Sequence, residues 1–78
     1  MKIKILFFAH AREIFGETAR VVELPEGSSI EAAVEKLGGG PALKEIPLIF
    51  AVNENFEPAE KILSPNDHLA IMMPTAGG

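Results

Sequence analysis

Reactive side chains are scarce in this sequence. Cysteine is absent, which removes thiolate nucleophiles, disulfides and thiolate metal sites together. The two histidines, His10 and His68, show neither HxxxH nor HExxH spacing, so no metal site is expected and each reads as a half-exposed polar side chain. Ser28 and Ser29 stand where helix caps belong and Ser64 in a turn, and none lies in a G-x-S-x-G elbow. The eleven carboxylates are scattered along the chain. Gly38-Gly39-Gly40 follows a helix instead of preceding one, so the helix dipole is wrongly directed to cradle a phosphate. The C-terminal segment Pro74-Thr75-Ala76-Gly77-Gly78 differs from all of these. Pro74 ends strand pairing and stiffens the exit, and Gly77-Gly78 carries no Cβ, so an extended tail can thread a channel too narrow for other residues. Within such a channel the Gly78 carboxylate is the one reactive group. It becomes an acyl donor once a partner converts it to a mixed anhydride. A frayed Gly-rich end is the ordinary alternative.

Any element that positions such a tail must fit into 78 residues, which is one domain, residues 1–78, with 74–78 as a flexible tail. Apolar residues make up 47% of the chain and charged residues 23%, proportions that favour a packed globule over a disordered segment. The net charge of −4 disfavours nucleic acid as a partner. No run reaches the roughly 18 apolar residues of a membrane span, and the Lys2/Lys4 start lacks a signal peptide's apolar stretch. A cytoplasmic protein is expected.

Alternation predicts a strand over Lys2–Ala9, with Ile3, Ile5 and Phe7 on one face and Lys4, Leu6 and Phe8 on the other. Ala11–Phe15 reads as one helical turn closed by Gly16, and Arg20–Leu24 as a second strand ended by Pro25-Glu26-Gly27. Ser28 lies three residues before Glu31, the spacing of a capping box, with Ser29 as the competing cap. Ile30, Ala33, Val34 and Leu37 then fall at i, i+3, i+4 and i+7, an apolar helical stripe stopped by Gly38-Gly39-Gly40-Pro41. Leu48–Val52 reads as a buried strand, Pro65-Asn66-Asp67 as a turn and His68–Met73 as the last strand. Strand, strand, helix, strand, strand predicts an α+β chain: a β-grasp (ubiquitin-like) mixed sheet with one main helix packed on one face. Ile3, Ile5, Phe7, Leu69 and Ile71 should face that helix. Opposite parity sends Leu6, Phe8, Ala70 and Met72 to the open face, joined by Phe56, and an apolar open face marks a partner surface, with Phe8, Phe56 and Met72 its candidate contacts.

The stretch Phe8-Ala9-His10-Ala11-Arg12-Glu13-Ile14-Phe15-Gly16 resembles the F-A-x-x-R-E-x-x-G pattern of the MoaD family, the small subunit of molybdopterin synthase. The likeness continues through Leu24-Pro25-Glu26-Gly27, Ala51-Val52-Asn53 and Gly77-Gly78. Departures are Pro65-Asn66-Asp67, where many members show Asp-Gly-Asp, and Ile71-Met72-Met73-Pro74, where many carry aromatics and a Pro-Pro pair. The resemblance implies a sulfur carrier that binds no cofactor of its own. A MoeB-like activating enzyme uses ATP to adenylate Gly78, and persulfide sulfur then displaces AMP to leave a thiocarboxylate. The tail, Pro74, Thr75, Ala76 and Gly77, carries it into a MoaE-like large subunit within a heterotetramer. There sulfur passes to cyclic pyranopterin monophosphate, forming the molybdopterin dithiolene. The chain is then a sulfur-donating subunit, not a catalyst by itself. Three alternatives share the fold: a ThiS-like carrier for thiamine or another thiolation, a ubiquitin-like modifier attacked at Gly78 by a lysine, and an interaction module with an inert tail.

Overall fold

The computed structural model describes residues 1–38 and 47–74. Lys2–Phe7 form β1, and each second side chain, Ile3, Ile5 and Phe7, is fully buried. His10–Phe15 form α1, Ala19–Glu23 β2 and Ile30–Lys36 α2. Ile49–Val52 form β3, Asn55–Phe56 β4 and His68–Met72 β5. The strands make one mixed sheet in the order β2-β1-β5-β3-β4. The β1–β5 pairing is parallel and the other three pairings are antiparallel. With α2 packed over one side, this is the expected β-grasp.

The helix-facing layer is the core. Ile3, Ile5, Phe7, Leu69 and Ile71 from the central strands meet Ile30 and Ala33 of α2, with Val22, Leu24, Val52 and Leu63 around them. Val34 and Leu37 complete the α2 stripe. Phe15 of α1 stacks on Phe7 with ring centroids 4.7 Å apart, which ties the short helix to the end of β1.

Local chemistry corrects several boundaries. β1 ends at Phe7 and not at Ala9, because Ala9 (φ 50°, ψ −125°) turns the chain into α1. The Ala11 N–H donates to the Phe8 carbonyl at 3.0 Å across this turn. Its shape is that of a type II′ turn, where glycine is the usual first central residue; burial of Ala11 and pairing of Phe8 to Ile71 hold alanine there. α1 is closed by Gly16 at φ 73°, as expected. Just beyond it, the half-buried Arg20 guanidinium forms two hydrogen bonds to Glu17, both at 2.7 Å. These bonds hold the Glu17 carboxyl below the usual carboxylate range, with desolvation opposing and charge attraction adding. Whatever stability the pair supplies is present above the unfolded carboxylate range and lost as pH falls through the lowered native value.

The α2 cap is Ser29, not Ser28. The Ser28 hydroxyl and N–H both point back to the Pro25 carbonyl, at 2.7 and 3.2 Å. Ser29 Oγ instead accepts the Ala32 N–H at 3.2 Å. The Ile30 and Glu31 N–H groups bind the Lys61 and Ala59 carbonyls, both at 3.0 Å. The otherwise unpaired donors of the first turn are thus satisfied by the distant 57–63 segment. At the other end Gly38 has φ 77°; the rest of the expected stop, Gly39, Gly40 and Pro41, lies outside the described residues.

β4, which the sequence reading lacked, pairs with β3 through a turn in which Asn53 and Glu54 both have positive φ, 49° and 74°. Such a two-residue turn matches strand twist and favours Asn-Gly. Asn53 fits it well. Its side-chain amide donates to Asp67 at 2.9 Å and its side-chain oxygen accepts the His68 N–H at 3.0 Å, latching the turn to the start of β5. Glu54 has no such compensation, so Glu54→Gly should stabilise the fold by about 1 kcal/mol. Urea unfolding tests this; a loss of stability would mean that the Glu54 side chain contributes contacts of its own.

Candidate functional site

β5 lies in the middle of the sheet, beside the end of β1 and the start of β3. Phe7 pairs with Ile71, and the Phe8 N–H still donates to the Ile71 carbonyl at 3.1 Å. Met72 pairs with Ile49 on the other side. Whatever follows Met72 therefore leaves between these two neighbours. Met73 packs back against the core and Pro74 is exposed. Having no N–H, Pro74 cannot extend the ladder. Thr75, Ala76, Gly77 and Gly78, the other tail residues singled out by the sequence, lie outside the described residues.

Strand register defines the face opposite α2. Leu6 is flanked by Ala19 of β2 and Ala70 of β5, Ala70 by Ala51 of β3, and Ala51 by Phe56 of β4. One step toward the exit lies the Met72–Ile49 pair. One step away, Lys4 stands between Val21 and His68. Phe8 is exposed and continues the parity of Leu6. Small alanines between larger side chains give a shallow apolar band rising at its rim to Phe56, 76% exposed, and Val21, 60% exposed.

The structure thus brings Phe8, Phe56 and Met72 to the open face, with Met72 half-buried and the two phenylalanines exposed. Sequence reasoning missed Val21 and Ile49, which share it. In Val21-Val22 either valine could face the core until β2 is registered on β1. Leu48–Val52 is apolar at every position, so it carries no alternation to show that Ile49 points outward. His10 lies on α1, 3.5 Å from Glu13. His68 is on the open face beside Lys4, well apart in register from the β5 exit.

A mixed β-grasp sheet with its main helix on one face, an apolar second face and a central last strand defines the ubiquitin-like class. Among solved structures, the small archaeal modifier protein 1 of Haloferax volcanii superposes with a TM-score of 0.80 at 19% identity, covering 95% of this chain and 98% of that one. The complex of subunits 1 and 2 of the molybdopterin-converting factor from Helicobacter pylori contributes a chain with a TM-score of 0.66 at 18% identity, each chain covered in full. At these identities the likeness is one of fold. The ThiS family is described by a sequence model that matches residues 5–78, and the chain belongs to that family, within the MoaD/ThiS superfamily. Two relatives bear the name molybdopterin synthase sulfur carrier subunit. The one from Arabidopsis thaliana is 33% identical over all of this chain and 84% of its own length. The one from Chlamydomonas reinhardtii is 34% identical with both chains covered completely.

The two faces should respond differently to substitution. Phe56→Asp is expected to change stability by no more than about 0.5 kcal/mol, because the ring is already in water. Leu69→Ala, on the other side of the same sheet, should cost about 2–5 kcal/mol. Comparable urea midpoints for the two variants would show that the open face is covered from within the chain.

Proposed function

We propose that this chain is the sulfur carrier subunit of molybdopterin synthase. One observation carries the reading: the similarity to two sulfur carrier subunits extends over the whole chain, and the family match runs through Gly78 itself. The chemistry then resides at the C-terminus. An activating enzyme of the MoeB kind transfers AMP from ATP to the Gly78 carboxylate, releasing pyrophosphate. The terminal sulfur of a persulfide donor attacks the acyl-adenylate and displaces AMP. A thiol then cleaves the resulting acyl disulfide, leaving as a disulfide with the donor sulfur and freeing a thiocarboxylate, which passes its sulfur to cyclic pyranopterin monophosphate within the large subunit. Need for ATP points to the cytoplasm as the site of charging. Among the described residues no helix is long and apolar enough to cross a membrane.

The rest of the chain serves delivery. The open face supplies a docking surface in which Phe8, Phe56 and Met72 bury against the large subunit, a MoaE-like protein. The H. pylori complex, in which a chain of this fold is held by a second subunit, supports such an arrangement. Two carriers on a large-subunit dimer form the proposed assembly. Pro74 starts the tail at one edge of that face, so docking directs Thr75, Ala76 and Gly77 away from the sheet and into the partner. Methionine suits such a surface because its unbranched thioether adapts to the shape opposite. A ThiS-like carrier or a protein modifier would use the same activated Gly78; the names of the full-length relatives favour the molybdopterin pathway.

Intact mass after incubation with the activating enzyme, ATP and a sulfur donor is the direct test. The expected product has one oxygen replaced by sulfur at Gly78. Deleting Gly78 should abolish this gain and all synthase activity at an unchanged thermal midpoint. A lysine-linked adduct would identify a modifier, and an unchanged mass an inert module. Met72→Glu should weaken large-subunit binding roughly tenfold or more, as expected for a central interface side chain; unchanged affinity in a titration would exclude the open face as the interface.

A further inference from the structure

The open face is apolar at the exit of β5 but not at its opposite end. Register carries Lys2 and Lys4 of β1 onto it, with Glu23 and Val21 on one side and His68 beside Lys4 on the other. Lys2, Lys4 and His68 are all exposed. Among the described residues neither lysine has a carboxylate partner. Glu23, the acid nearest in register, is 3.8 Å from the Met1 amino group. Acids paired elsewhere, Glu13, Glu17 and Glu57, bind His10, Arg20 and Lys61.

Two ordinary uses of surface lysines do not apply here. Lysines often blunt the edge of a sheet against aggregation, but β1 is an interior strand flanked by β2 and β5. Extra charge also keeps a domain soluble, yet this chain already has a net charge of −4, and two cations move it toward neutrality. An acidic chain nevertheless carries, on the one face that also holds its apolar band, two cations that have no carboxylate partner among the described residues.

We propose that Lys2 and Lys4 form the orienting end of the docking face, and that the large subunit covering the apolar band presents carboxylates opposite the first half of β1. This rests on the reading of the open face as the large-subunit interface. Lys2 and Phe8 mark opposite ends of the face, roughly 20 Å apart at about 3.3 Å per residue. An apolar band alone can seat a partner in either sense. Charge at one end selects the sense in which the β5 exit, at the other end, points into the partner. Charges at such a rim act on encounter and register more than on residence time.

The test is association kinetics of the full chain with the molybdopterin synthase large subunit of the same organism, at about 20 mM and about 300 mM salt. For the unaltered chain, association slows as salt rises. The pair Lys2→Glu and Lys4→Glu should associate about tenfold more slowly at low salt, with that salt dependence flattened and the dissociation rate within about twofold of the original. The pair Lys2→Gln and Lys4→Gln should fall between, and carries the test if the charge reversal impairs folding. Met72→Glu, run alongside, should speed dissociation. Unchanged association of the lysine variants, with Met72→Glu still weakening the complex, would overturn the orienting role and leave the interface standing. No effect from any variant would overturn both.

Discussion

Everything in this fold hangs on the parallel pairing of β1 with β5. Parallel neighbours cannot be joined by a tight turn, so the connection between them must cross the sheet, and here it contains all of β2, α2, β3 and β4. The pairing is sealed from one side by Ile3, Ile5, Phe7, Leu69 and Ile71, none more than 1% exposed. Burial of that layer under α2 leaves the alternate residues of the same strands no choice but the other face. The core and the apolar open face are two results of one register.

The same constraint fixes where the chain leaves the sheet. Because β5 is central, its exit is framed by Phe8 and Ile49 and not by solvent at an edge. Pro74 follows within two residues and cannot pair with either neighbour. A group borne beyond Pro74 therefore starts from a defined position relative to the open face. Under the proposed function the domain supplies recognition and direction, and the enzymes that receive it supply the catalysis.

Much of this was legible in the sequence because strand alternation and the α2 stripe are strong, consistent signals. The order of elements followed from them, and so did the assignment of Leu6, Phe8, Ala70 and Met72 to the open face. Where the reading failed, the deciding features lay outside the local hydrophobic pattern. Ser28 and Ser29 are both competent caps; the choice went to Ser29 because Pro25 engages Ser28 and the 57–63 segment binds the first α2 donors. Val21 and Ile49 could be oriented only after β2 and β3 were registered on their neighbours. β4 is two residues long, too short to show a period. Ala9 gave no sign of its positive φ, since alanine is a residue that normally avoids it.

The central position of β5 also has a temporal meaning. Strands β1 and β3 have no contact in the sheet except through residues 68–72, and α2 lacks its first-turn acceptors until Ala59 and Lys61 are in place. A chain growing from its N-terminus can therefore form the β1–β2 hairpin early but cannot close the core before the last strand arrives. Loops of this length are costly to close before the contacts they bring together are made. Closure of the core is in this way postponed until residues 68–72 have been made, and a product that stops before them leaves β3 without its central neighbour. A product that stops short of β5 also lacks Ala70 and Met72 of the open face, so failure to close the core and loss of that face come together.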